Sequence, residues 1–133
     1  TKHQSELAVK VVGASQADLF ANSAYTLFDV MVADLDKVDC KEHIPLEVEG
    51  TGRDDLMDNW MRELLYLYQG SGYLLKEFQI REVKDTIVKA EVAGEKIDPD
   101  RHEIKQEIGA IAFHKSRMDK TGNQWTAQVI FGV

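Results

Sequence analysis

Met57, Trp60, Met61, Leu64, Leu65 and Tyr68 fall at i, i+3, i+4, i+7, i+8 and i+11. That spacing puts all six on one stripe of an α-helix, and a stripe this apolar has to be covered by another layer. Gly70-Ser71-Gly72 ends the helix, because glycine accepts the left-handed backbone of a helix C-terminus. Thr51 and Asp54 offer a capping pair at its start. A second amphipathic helix is predicted from Ser15, an N-cap with Asp18 three residues on. It runs through Phe20, Ala24, Leu27, Phe28 and Met31 to about Ala33.

The rest of the chain supplies strands to cover these helices. Residues 7–12, LAVKVV, form a short apolar strand closed by Gly13. His43 to Glu49 alternates Ile44, Leu46 and Val48 against Pro45, Glu47 and Glu49. Pro45 lacks a backbone donor, which places this strand at a sheet edge or a bulge. Residues 74–83 alternate around Phe78 and Ile80, turn at Lys84-Asp85, and resume at Val88, Ala90 and Val92 up to Gly94. Ile108–Met118 and Gln124–Val133 read as two longer strands joined by the hairpin connection DKTGN. The order β-α-β-α-β-β-β-β predicts one α+β domain over residues 1–133, a mostly antiparallel sheet packed on two amphipathic helices. Because the last strand alternates up to Val133, a chain-end carboxylate is expected at a fixed place in the fold.

Charge narrows the partners. The chain has 16 basic against 23 acidic residues, a net charge of −7, and no basic run. Direct binding of nucleic acid depends on Lys and Arg clusters and is therefore disfavoured. A basic protein partner or a cation suits the surface better. No apolar run approaches the about 18 residues of a membrane span, and no signal-peptide pattern opens the chain. The lone Cys40 cannot form an internal disulfide, so a reducing cytoplasm and a free structural thiol are expected.

Catalytic signatures are missing: the chain has no G-x-S-x-G, no H-E-x-x-H and no C-x-x-C. The GSG tripeptide follows a helix and so cannot seat phosphate on a helix N-terminus. His3, His43, His102 and His114 lack ligand-like spacing, and His114 shares a strand face with Ala110 and Ala112. Trp60, Trp125 and the tyrosines of LLYLY read as core or near-core aromatics. Glu95, Asp98, Asp100, Glu103 and Glu107 lie among Lys96, Arg101 and Lys105 in a loop that is either simply solvated or partner-binding. The residues alone favour an accessory or binding protein over an enzyme. A small metal-dependent hydrolase built on Glu6 and the chain end would need a general base and a convergent ligand set, and neither is visible.

Four segments together resemble the archease family. They are AYTLFDVMVADLDKV in the first helix and its exit, DLMDNWMRELLYLY in the second helix, GEKIDPDRHEIKQEIGAIAFH from the loop into the next strand, and VIFGV at the end. The resemblance implies a small, non-catalytic α+β protein that assists an RtcB-type RNA ligase. That ligase joins ends bearing a cyclic or 3′-phosphate to 5′-hydroxyl ends in tRNA splicing and RNA repair. It guanylylates its own histidine with GTP and manganese, a step the accessory protein promotes, together with repeated turnover. The resemblance also permits a chaperone-like role toward a tRNA-modifying enzyme such as a methyltransferase.

It further implies a cation site where an N-terminal Asp, a C-terminal Asp and the chain-end carboxylate meet. This chain departs from that pattern. HQSE at 3–6 places Glu6 where Asp is usual, Gly132 stands where the C-terminal Asp is usual, and EIGA places Gly109 where a Lys is usual. Glu6 and the Val133 carboxylate are left as ligands for a cation such as Ca²⁺, a thin set for an ion that takes about six to eight oxygens. His102, Lys105 and Gly109 are the positions expected to meet the partner enzyme.

Overall fold

In the computed structural model, which describes residues 5–112 and 114–133, both helices begin and end for local reasons. The first, α1 (Gln16–Met31), is capped by Ser15, whose Oγ accepts the Asp18 amide at 3.0 Å. The second, α2 (Arg53–Ser71), ends at Gly72, whose amide donates to the Tyr68 carbonyl at 2.8 Å and whose φ of 75°, in the left-handed region, turns the chain out of the helix. Its start differs from the predicted Thr51–Asp54 pair. Gly52 is the N-cap and makes no side-chain bond, while the Thr51 amide and hydroxyl donate to Asp55 Oδ2 at 2.8 and 3.2 Å. The reach-back is displaced by one residue because Asp54 is engaged elsewhere.

The strands are β1 (Glu6–Gly13), β2 (Glu42–Glu49), β3 (Tyr73–Val83), β4 (Ile87–Lys96), β5 (Ala110–Ile111), β6 (Arg117–Thr121) and β7 (Gln124–Gly132), with a short 3₁₀ turn at Leu35–Lys37. They form two antiparallel sheets among the described residues, where the sequence suggests one. One sheet runs β2-β4-β3, so Pro45 does lie on an edge strand. In the other, β1 covers one side of β7, and β5 and β6 pair in succession along the other side. The expected pattern of two helices with antiparallel strands holds as an α+β fold.

The predicted strand 108–118 is broken into β5 and β6, with His114 turned into a left-handed conformation at φ 58°. The reason lies on α2. Asp58 Oδ2 accepts the His114 amide at 2.8 Å and Asp54 Oδ1 accepts the Met118 amide at 2.8 Å. Side-chain carboxylates therefore take amide hydrogens that the sequence pattern assigns to strand pairing. His114 consequently does not continue the strand face of Ala110 and Ala112.

One core joins the layers. Leu19, Phe20, Leu27, Phe28 and Met31 of α1 and Leu56, Met57, Trp60, Met61 and Leu64 of α2 are fully buried. Helix α1 packs on β3 and β1, and α2 packs on β2, β5 and β6. The Phe20 and Trp60 rings meet edge-on at 6.0 Å, and the Trp60 indole donates to the Phe20 carbonyl at 3.0 Å, which satisfies its buried N–H. Trp125 is nearly buried, as expected, but Tyr66 of LLYLY is 69% exposed. Among the described residues no helix is long and apolar enough to cross a membrane.

Candidate functional site

Pairing of β1 with β7 brings the two ends of the chain together. Glu6 is the cross-strand partner of Gly132, Ala110 is the partner of Gly132 from the other side, and the Gly109 amide donates to the Gly132 carbonyl at 2.9 Å. The Val133 amide donates to the Ser5 carbonyl at 3.1 Å. Glu6 thus meets Gly109, Gly132 and Val133, each more than a hundred positions away from it in sequence, at one end of β7. His3 and Gln4 of the N-terminal motif lie outside the described residues, as does Phe113.

The chemistry of this end departs from that of a cation site. Of the four positions, only Glu6 carries a side-chain carboxylate. Its Oε2 lies 3.4 Å from the Lys115 ammonium, with both side chains about half exposed. Among the described residues no group of three or more His, Cys, Asp or Glu side chains is placed to hold a metal ion. A hard divalent cation needs a converging set of oxygens, and a lysine beside the one side-chain carboxylate opposes it. The residues fit Ca²⁺ poorly.

A second cluster fixes the loop that leads to this end. Glu95, near the end of β4, is only 5% exposed and serves as a hub. Arg101 grips it at two points, Nη1 to Oε1 and Nη2 to Oε2, each at 3.0 Å. The Asp39 amide donates to Oε2 at 2.7 Å, and Lys41 stands 3.5 Å from Oε1. The Arg101 guanidinium and the Asp39 amide hold the Glu95 carboxyl down at about 2, against the upward push of burial.

His102 belongs to the same cluster. Its Nδ1 accepts the Asp98 amide at 2.9 Å, so the ring proton sits on Nε2 and points to Glu95 Oε2 and the Lys37 carbonyl, both at 3.1 Å. Gly94, the residue before this hub, has to be glycine, because a Cβ would overlap the Leu74 carbonyl oxygen and stand 2.8 Å from the Leu75 Cα.

The three residues expected to meet a partner therefore sit in three different settings. The His102 ring is buried, and its work is to hold the loop against β4. Lys105 is exposed, with its amide donating to the Met31 carbonyl at 2.8 Å at the end of α1. Gly109 reaches the chain-end cluster, where Gln69 of α2 donates to its carbonyl at 2.8 Å. The fold brings Gly109 to Glu6 and Gly132, and joins His102 to Glu95 instead. Cys40 is a half-buried free thiol, raised above its ordinary value by burial and then by Glu77, which suits a structural role.

Sequence reasoning missed two organising carboxylates. Glu95 stood unmarked among the loop charges. Asp58 is 1% exposed, accepting from Ser116 Oγ and the His114 amide, with Arg62 3.6 Å away. Its signal is its position, since Asp58 lies one turn before Met61 and two turns before Leu65 on the buried side of α2.

The archease protein family model (MTH1598/TM1083) matches residues 1–133. The archease of Pyrococcus abyssi is 33% identical over 133 residues, covering 97% of this chain and 93% of that protein. The archease of Methanopyrus kandleri is 29% identical, covering 97% and 94%. The solution structure of Methanobacterium thermoautotrophicum protein 1598 superposes with a TM-score of 0.81 at 26% identity, over 96% of this chain and 92% of that one. A Thermotoga maritima archease, described as a possible chaperone, shares the fold with a TM-score of 0.60 at 16% identity, over 100% and 94%. On the match along its whole length and the fold it shares with these relatives, this chain belongs to the archease family.

Proposed function

We propose that this protein is a non-catalytic accessory factor of an RtcB-type RNA ligase, promoting the enzyme's guanylylation and repeated turnover by direct contact. The observation that carries the reading is the match of the archease family along all of residues 1–133. The net charge of −7 supports it, since an acidic protein is steered toward a basic RNA-handling enzyme. The contact face is the end of β7 with Gly109 and the exposed Lys105, and the Glu95–Arg101–His102 cluster fixes the start of the loop that carries Lys105 and leads to Gly109.

The test mixes the cognate ligase, limiting relative to its RNA, with this protein and follows joining of a cyclic-phosphate end to a 5′-hydroxyl end. Product should exceed one equivalent of ligase only when this protein is present. A yield that stays at one equivalent rejects the reading. A second reading, a stabiliser of a tRNA-modifying enzyme, draws support from the description of the Thermotoga relative as a possible chaperone. Affinity capture from the native cell separates the two: a methyltransferase recovered without any ligase favours the second.

A further inference from the structure

The net charge of −7 hides a local reversal. Strand β7 lies between β1 and β6, and its Gln128 is the cross-strand partner of Lys10 on one side and Arg117 on the other. Residues in register point to the same face, so the two cations flank Gln128, about 10 Å apart at the backbone from the spacing of neighbouring strands. In a neighbouring row Thr126 is paired with Asp119. Lys120, in register with Trp125, faces the other side of the sheet, its ammonium 5.8 Å from the centre of that ring. Lys10, Arg117, Asp119, Thr126 and Gln128 line an open depression of about 550 Å³ on the outer face of the sheet.

Two cations, Lys10 and Arg117, meet one carboxylate there, that of Asp119. Among the described residues neither Lys10 nor Arg117 has a carboxylate within ion-pair distance. Arg117 is oriented by its own chain, with Nη1 donating to the Ser116 and His114 carbonyls at 2.9 and 3.3 Å. The floor is made of amide and hydroxyl side chains, and the largest apolar group lining it is Ala127. A protein interface centres on a buried aromatic or aliphatic anchor, which this depression lacks. A polyanion needs cations for its phosphates and polar groups for its sugars and base edges, and both are present.

We propose that this face binds the phosphate backbone of single-stranded RNA. The local arrangement outweighs the net charge because screening confines each interaction to within about 10 Å. The choice of RNA among polyanions rests on the ligase reading, where the face would hold the partner's substrate. The geometry alone assigns a phosphate-rich strand.

The test is fluorescence anisotropy of a labelled oligouridine ten-mer titrated with this protein, with no ligase present. Two neutralised phosphates predict that log affinity falls with log salt at a slope of about −1.4. The double variant Lys10→Glu/Arg117→Glu should bind at least about tenfold more weakly while keeping the wild-type circular dichroism spectrum. Lys84→Glu/Lys89→Glu on the other sheet, with the same change in net charge, should bind like the wild type. Absence of RNA binding, an equal loss in the control variant, or tighter binding of a polyglutamate ten-mer than of the RNA overturns the proposal. With no ligase in the assay, this proposal and the accessory reading fail separately.

Discussion

Asp58 accepts the backbone N–H of His114 at 2.8 Å from 56 positions away, and its other oxygen takes the Ser116 hydroxyl. The carboxylate is 1% exposed, a setting in which an acidic group is tolerated only when its lone pairs are answered. Arg62, 3.6 Å away, supplies opposite charge. This one side chain fixes where β5 ends and β6 begins, and so positions the segment carrying Lys115 and Arg117.

Removing that acceptor should be costly in proportion to what it leaves unmet. Asp58→Ala strands a buried amide and a hydroxyl, and each such group costs about 1–3 kcal/mol. Urea denaturation should show a lower midpoint with an unchanged slope. Asp58→Asn keeps an acceptor and should lose less. A midpoint for Asp58→Ala equal to that of the wild type would show that the segment is held by β7 alone.

The helices were legible because their burial follows side-chain spacing: the stripe from Met57 to Tyr68 and the Ser15 cap both appear as read. Tyr66 is exposed because position 66 falls off that stripe, a point the cluster of tyrosines obscured. The broken strand was not legible, since alternation reports which way side chains face and says nothing about amides captured by Asp54 and Asp58. Glu6, Gly109 and Gly132 could be connected only through family resemblance, and their meeting depends on register. The row Lys10–Gln128–Arg117 is likewise invisible in one dimension, because three strands distant in sequence supply one residue each.

Glu95 makes the fold sensitive to acid. Its carboxyl is lowered from an ordinary 4.5 to about 2, chiefly by Arg101. The stabilisation is therefore complete above about 4.5 and drains away as the pH falls toward about 2. Glu95→Gln removes the charge, leaves Arg101 without its buried partner and should melt well below the wild type at neutral pH. The gap between the two melting temperatures should narrow steadily below pH of about 4.5. A gap that stays constant down to acid pH would mean that the ion pair contributes nothing and that the variant fails for packing reasons.

Glu6 and Gly132 stand opposite each other at the chain ends, and the Lys115 ammonium is 3.4 Å from Glu6. With one side-chain carboxylate and a competing lysine, the melting temperature of the unmodified chain should move by less than about 1 °C in about 1 mM calcium. The double variant Gly132→Asp/Lys115→Ala restores a pair of carboxylates and removes the competitor. Opposed residues on neighbouring antiparallel strands place their Cβ atoms about 5 Å apart, close enough for two carboxylates to share an ion. Gly132 lies in strand β7, whose extended backbone an aspartate can adopt. If the restored site binds calcium about a hundredfold below the added concentration, ligation contributes about 2.7 kcal/mol and the melt rises by several degrees, reversed by chelator. An equal rise in the unmodified chain would show that Glu6 and its surroundings already hold calcium despite the lysine, and the terminal cluster would have to be reassigned as a working cation site.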